Sequence, residues 1–325
     1  MRVRGAGFVG AMLVGACLAS VLLSSTATAA DKIRLGKAQG GAWTFLPANI
    51  GIEEGIFAKY GLEVEIADLS GDAKVQQALA AGSIEFGLGS GPGMAFAAKG
   101  SPVLAVAAFA AEPRNISAIV VADSPIKTVA DLKGKLVAVS TAGSLTDWLA
   151  KQMALQEGWG QDGVKTVALG AIDSSLAALK ARQVDAVVLA TEAGFQLEER
   201  KEGRIVIGMN KYAPHFITHV VFARKQILDD QPNLIDRFLK AFFSSIAFMK
   251  ANKDQTVTLA ERVLHQSPFV ASQSYDYEIS MLTDDGRFDA KAVDTLKQSF
   301  VEMGILDHKP ENDALFTTRF VPVKP

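Results

Sequence analysis

The chemistry-bearing residues of this chain concentrate where an apolar run breaks into small hydroxylated residues. Val137-Ala138-Val139 is followed by Ser140-Thr141-Ala142-Gly143-Ser144 and then by the amphipathic segment Leu145-Thr146-Asp147-Trp148-Leu149. Ser144, with Asp147 three places on, resembles a capping box in which Asp stands for the usual Glu or Gln. The pattern predicts a strand, a loop and a helix N-terminus. Such an end carries unpaired backbone N–H groups and partial positive charge, so it can seat an anionic or strongly polar ligand. Taken alone, the stretch reads first as a capped helix with no ligand.

Two other patterns invite catalytic readings and fail them. His215-Phe216-Ile217-Thr218-His219 has the i, i+4 spacing that binds zinc on a helix, but it lacks the Glu of H-E-x-x-H. Its β-branched residues indicate a strand, on which i and i+4 lie too far apart for one ion, so no metal is expected. The run Gly87–Gly93 fits neither G-x-S-x-G nor G-x-x-x-x-G-K, because Leu88 and Pro92 occupy the wrong places. Cys17 is the chain's one cysteine. Without it no thiolate nucleophile, disulfide or Cys-based metal site is available. A nucleophilic enzyme would need a Ser–His pair, and nothing adjacent in sequence suggests one. No catalytic residue and no cofactor are expected.

The elements that must position these residues follow a leader. Met1-Arg2-Val3-Arg4, the apolar stretch Gly5–Leu23 and Ala27-Thr28-Ala29 have the three parts of a secretory signal, cleaved near Ala29 or Ala30. Val14-Gly15-Ala16-Cys17 is a poor lipoprotein site, with the cysteine inside the apolar core, so lipid anchoring is not expected. Residues 1–30 are therefore read as a signal peptide and the mature chain as exported and soluble. The 33 basic and 35 acidic residues leave a net charge of −2, which argues against nucleic acid or a membrane surface as partner.

Beyond the leader, short apolar runs alternate with helical segments. Ile33–Gly36, the alternating Gly61–Ile66, Ile84–Leu88 and Val103–Phe109 read as strands, with helices predicted over Thr44–Ala58, Asp72–Ala81 and an Ala-rich piece ending at Lys99. A second unit starts near Ile116 and repeats the order, with strands at Val137–Val139, Val164–Leu169, Val184–Leu189 and Ile205–Ile207, and Thr191–Gly194 as a loop. Leu79-Ala80-Ala81-Gly82-Ser83-Ile84-Glu85-Phe86 aligns with Leu179-Lys180-Ala181-Arg182-Gln183-Val184-Asp185-Ala186. This implies an α/β protein of two similar lobes, each a mostly parallel sheet flanked by helices. The lobes are joined by hinges near Ala111–Ile116 and Ala213–Val220. From Pro232 the chain turns helical, over Pro232–Ala251, Thr256–Leu264 and Ala290–Met303, and is expected to cover the first lobe.

The ordered set of short motifs resembles a known family. It comprises Pro47-Ala48, Glu54-Gly55-Ile56-Phe57, Gly61-Leu62-Glu63-Val64, Gln77–Gly87, Ala98-Lys99-Gly100-Ser101-Pro102-Val103, Asp131-Leu132-Lys133-Gly134-Lys135 and Val184-Asp185-Ala186. The chain is similar to the solute-binding proteins of the nitrate/sulfonate/taurine type, which include binders of thiamine-pyrimidine precursors. Glu85 in place of the usual Asp, and Gln183 in place of the usual Gly, depart from the pattern. The resemblance implies a type II periplasmic-binding-protein fold, with lobe 1 formed by residues 31–113 plus 218–325, lobe 2 by 114–217, and a ligand cleft between them. It also implies delivery of a small sulfonate, taurine, nitrate or carboxylate to an inner-membrane ABC permease and its ATPase, by a periplasmic protein expected to be monomeric. A pyrimidine ligand, a sensor partner, or more remotely a same-fold enzyme are the alternatives; enzymes of this fold use cysteines that the mature chain lacks.

By position, the resemblance brings to the cleft Gln39 and Trp43, Ser90 and Gly91, and Ser140, Thr141, Gly143 and Ser144, with Thr191, Glu192 and His215 from the far side. Arg114 either anchors an acid group or pairs with Glu112. Because a carboxylate would repel an anion, Glu192 either turns outward, which is the expectation, or reads the amine of a zwitterionic ligand such as an aminosulfonate or amino acid.

Overall fold

The computed structural model describes residues 30–325 except Gly40 and Ser70, so the expected leader lies outside the described residues. Among the described residues ten strands run as β1 (Asp31–Lys37), β2 (Leu62–Asp68), β3 (Phe86–Ser90), β4 (Val103–Ala110), β5 (Ile116–Val121), β6 (Leu136–Val139), β7 (Lys165–Ala168), β8 (Ala186–Ala190), β9 (Gly203–Gly208) and β10 (His219–Arg224). The helices are α1 (Leu46–Glu53), α2 (Ile56–Lys59), α3 (Asp72–Ala80), α4 (Ala95–Ala98), α5 (Leu145–Gln156), α6 (Ile172–Lys180), α7 (Thr191–Glu199), α8 (Lys225–Asp230), α9 (Pro232–Ala251), α10 (Lys253–Leu264), α11 (Pro268–Glu278) and α12 (Ala290–Glu302).

The strands form two five-stranded sheets, ordered β2-β1-β3-β10-β4 and β7-β6-β8-β5-β9. In the first, β1 is parallel to β2 and β3, while β10 runs antiparallel between β3 and β4. In the second, β6 is parallel to β7 and β8, and β5 runs antiparallel between β8 and β9. Each lobe is thus the expected mostly parallel sheet with one reversed strand in fourth place. Central strands buried on both faces need continuous apolar runs, and Ala186–Ala190 at the centre of the second sheet supplies one.

The aligned segments do the same job in both lobes. The Glu85 N–H donates to the Arg34 carbonyl while its carboxylate accepts the Arg34 N–H at 2.8 Å; Asp185 does likewise with Leu136, at 2.9 Å. The longer Glu85 also holds the Arg34 guanidinium at 2.6 Å, a physical reason for the departure from Asp. The left-handed turn falls one place before Gln183, on Gly82 (φ 72°) and on Arg182 (φ 56°).

Some local expectations are corrected. The single helix over Thr44–Ala58 is broken: a 3-10 turn at Trp43–Phe45 leads into α1, and Gly55, at φ 62°, separates α1 from α2. Thr191–Gly194 forms the first turn of α7 where a loop was expected. Helix α9 has the bounds its apolar spacing predicts and packs on α1 and α2, with Phe238 stacked on Phe86 at 4.0 Å and on Phe57 at 5.6 Å. The C-terminal helices do more than cover the first lobe, since α11 packs on α7 of the second. No helix among the described residues is long and apolar enough to cross a membrane.

Candidate functional site

The two lobes meet at the 3-10 turn Trp43–Phe45, which follows β1 and is fully buried. The Trp43 backbone N–H donates to Glu192 Oε1 at 3.0 Å, and the Thr44 hydroxyl donates to Glu278 Oε2 at 3.3 Å. Adjacent residues of the first lobe therefore hold one carboxylate from α7 of the second lobe and one from α11. The other oxygen of each carboxylate is buried without a hydrogen-bond partner, and so is Trp43 Nε1. Glu192 is 7 % exposed and Glu278 not at all. Burial raises the pKa of both, and the neighbouring Glu192 charge raises Glu278 further. Contrary to expectation, Glu192 points inward, because the first turn of α7 faces the Trp43 turn.

Aromatic rings frame this pair. Trp43 meets Tyr275 edge-on at 6.2 Å, and Phe195 meets Tyr277 edge-on at 6.0 Å. Burial raises the Tyr277 pKa, partly countered by Arg114 and by a hydrogen bond to Ser117. His219 opens β10 against Phe45 and Phe109; its Nδ1 is unpartnered, and burial pushes its pKa down to about 3, so the ring is neutral.

The hydroxyls singled out from the sequence are engaged with one another. At the head of α5, the Ser140, Ser144 and Thr146 hydroxyls lie 2.9–3.0 Å apart, and Thr146 also accepts the Ser140 N–H at 3.0 Å. Ser144 caps the helix by accepting the Asp147 N–H at 3.4 Å. The Asp147 carboxylate reaches back to Gly143 N–H at 2.9 Å, one residue beyond the N-cap N–H that a capping box uses, and pairs with Lys151 at 2.8 Å. Burial pushes its pKa up, but Lys151 and Gly143 outweigh that and hold it below the usual carboxylate range. Gly143 adopts φ 72°, and a Cβ there would sit 3.2 Å from the Met303 carbonyl. Thr141 is exposed. Trp148 stacks on Phe216 and donates to Glu302 at 2.7 Å, so α5 also leans on α12.

At the first lobe's turn, the Ser90 hydroxyl and N–H donate to Asp72 at 2.6 and 2.8 Å, and the same hydroxyl accepts from Gly93 N–H. Gly91 bonds the Thr218 carbonyl, and a Cβ there would lie 1.9 Å from the Ile217 carbonyl oxygen, so only glycine fits against the crossover. Thr191 stitches α7 to the other crossover: its hydroxyl lies 2.8 Å from Ser117 and donates to the Arg114 carbonyl. The Arg114 guanidinium pairs with Glu112 at 3.0 Å. Gln39 and His215 are exposed, and His215 precedes the strand that His219 begins. Of the residues expected at the site, the structure gathers Trp43, Thr191 and Glu192, with Arg114 at the crossover beside them.

Sequence reasoning missed Glu278, Tyr275, Tyr277 and the whole of α11, whose apolar residues follow no clear helical stripe. The available signal was Ser267-Pro268, a capping residue with proline in the first turn; Ser267 accepts the Val270 N–H at 3.2 Å. Asp72 was missed too, although it opens α3 with its carboxylate on Ser90. Among the described residues no group of three or more His, Cys, Asp or Glu side chains could hold a metal ion.

Known proteins share both sequence and architecture with this chain. A binding protein of Brucella abortus is 25 % identical over 219 residues, covering 66 % of this chain and 66 % of that protein, so the match spans just under two thirds of that relative's length. A thiamine biosynthesis protein of Haemophilus influenzae is 29 % identical over 212 residues, covering 62 % of this chain and 64 % of that one. The periplasmic aliphatic sulphonate binding protein SsuA of Escherichia coli superposes with a TM-score of 0.76 at 20 % identity, over 88 % of this chain and 92 % of that one. The desulfurization enzyme DSZB shares the fold at a TM-score of 0.65 and 16 % identity, over 89 % and 97 %. The model of the family described as "NMT1/THI5 like" matches residues 44–256, more than half of the sequence. The chain belongs to the NMT1/THI5-like family.

Proposed function

We propose that this protein is an exported solute-binding protein that captures a small organic solute between its lobes and presents the closed form to an inner-membrane ABC permease and its ATPase. The observation that carries this reading is the pair of buried, half-satisfied carboxylates at Trp43, contributed from opposite sides of the lobe junction. Buried polar groups are ordinarily paired, and an unmade bond costs about 1–3 kcal/mol, so atoms left open at a junction favour a ligand that completes them. The lobes hinge about the two crossovers, and opening breaks the Trp43–Glu192 bond. The protein acts as a monomer in the periplasm. A catalytic reading has less support: DSZB shares the fold alone, and the leader's Cys17 is the chain's one cysteine.

The test is a thermal-shift panel of sulfonates, taurine, nitrate, aromatic carboxylates, organic amines and pyrimidines, followed by small-angle scattering with whichever compound binds. A ligand that binds only the native state raises the melting temperature. Binding together with a fall in radius of gyration is expected. No response from any class, alongside turnover of an ester or amide, would overturn it.

A further inference from the structure

The donors and acceptors at the Trp43 turn do not balance. An ionised carboxylate only accepts hydrogen bonds. Glu192 takes one N–H and Glu278 one hydroxyl, which leaves a buried oxygen open on each. Both side chains are more than nine-tenths buried. Among the described residues neither carboxylate forms an ion pair, and Arg114, the nearby cation at the crossover, pairs with Glu112. The Asn115 side-chain oxygen, whose backbone carbonyl holds the head of α7, is a third buried acceptor without a partner. Trp43 Nε1 is an unpartnered donor at the turn.

An anion would bring negative charge beside two buried carboxyl groups that burial already discourages from ionising, and the turn offers it the indole N–H. A cation with several N–H groups would reverse each deficit: it neutralises charge, supplies the missing donors and draws the α7 and α11 carboxylates together. Aromatic rings beside the pair suit such a cation, because their faces attract positive charge and their area covers an apolar body.

We propose that the solute is a small organic cation, an ammonium or amidinium, whose N–H groups are donated to the free oxygens of Glu192 and Glu278. This rests on the solute-capture reading above and names its ligand class. The cation replaces a proton that burial otherwise keeps on the pair, so ligand uptake releases protons. The titratable and charged groups that bear on that exchange are Glu192 on α7, Glu278, Tyr277 and Tyr275 on α11, Lys253 over the Tyr275 ring, His219 at the start of β10, and Arg114 with Glu112 on the crossover.

The test is calorimetric titration of the full mature chain with benzylammonium and benzamidinium, set against benzenesulfonate, benzoate and an uncharged pyrimidine. The cations should bind, and Glu192→Gln and Glu278→Gln should each weaken them at least tenfold while melting no lower than the parent without ligand. Measuring the heat in buffers of different ionisation enthalpy should show proton release on cation binding. Binding of the sulfonate, carboxylate or neutral pyrimidine with no response to the cations would overturn the cation class and leave solute capture standing. Cation binding unchanged in both variants would overturn it as well, by placing the cation elsewhere. Silence from every probe would overturn the cation class and count against solute capture too. The parent-chain panel decides between the charge classes even where a variant fails to fold.

Discussion

The heads of α5 and α7 are two versions of one device. Each is a strand-to-helix turn in the second lobe, each carries hydroxylated residues and an acid in its first turn, and both lie near elements of the first lobe. At α5 the chemistry closes on itself: three hydroxyls bond one another, Ser144 caps the helix, and Asp147 has Gly143 and Lys151. At α7 the hydroxyl of Thr191 is similarly engaged, but Glu192 is carried into the lobe junction and finds one partner for two oxygens. A helix start full of hydroxyls can be saturated. The one with a polar atom left open is where a ligand has something to add.

The sharpest way to break that contrast is Trp43→Ala. Removing a fully buried tryptophan costs about 3–5 kcal/mol, and urea unfolding should show a loss of that size. A loss below about 1 kcal/mol would mean the turn is not the keystone of the junction.

Glu278→Gln should act in the opposite direction. Burial, with the neighbouring Glu192 charge, raises the Glu278 pKa well above 4.5, so between 4.5 and that raised value the folded chain holds a proton that the unfolded chain has lost. Stability therefore falls as pH rises from about 4.5 through the folded value. The amide removes that slope and should add about 1–3 kcal/mol at neutral pH, the range for a buried polar group left unpaired. His219 contributes an opposite slope: with its folded pKa near 3, stability falls as pH drops below 6.5. The parent's thermal stability should accordingly decline on both sides of a mildly acidic maximum, and Glu278→Gln should move that maximum upward.

Ser144→Ala should cost about 1 kcal/mol for the lost cap without altering solute binding. Thr141→Val, at an exposed position, should change stability by less than about 0.5 kcal/mol and leave affinity unchanged. Reduced affinity in either variant would return the α5 head to the site.

The parts of the fold legible in sequence are those written in a periodic pattern. The apolar residues of Pro232–Ala251 recur at helical spacing, and the helix spans those residues. The Leu79–Phe86 and Leu179–Ala186 alignment marked a repeated turn whose acids close the same backbone bonds in both lobes. The site was less legible, for two reasons. Glu278 lies on a helix with no clear apolar stripe and meets Glu192 only through tertiary packing, 86 residues away in the chain by their numbering. The orientation of Glu192 turned on whether Thr191 began a helix, and that is set by Asn115, whose carbonyl receives the Thr191 N–H.

The reversed fourth strands also impose an order of assembly. All five strands of the second sheet lie in one unbroken stretch, from Ile116 to Gly208. The first sheet cannot close until β10 arrives, because β4 joins β3 only through it. A chain emerging from its N-terminus thus carries β4 as an unpaired apolar ribbon, Val103–Ala110, while the later-made lobe completes itself. Until β10 covers it that ribbon is a hazard, since unpaired apolar strands invite aggregation. Pulse-labelled hydrogen exchange during refolding should find β6 and β8 protected before β4.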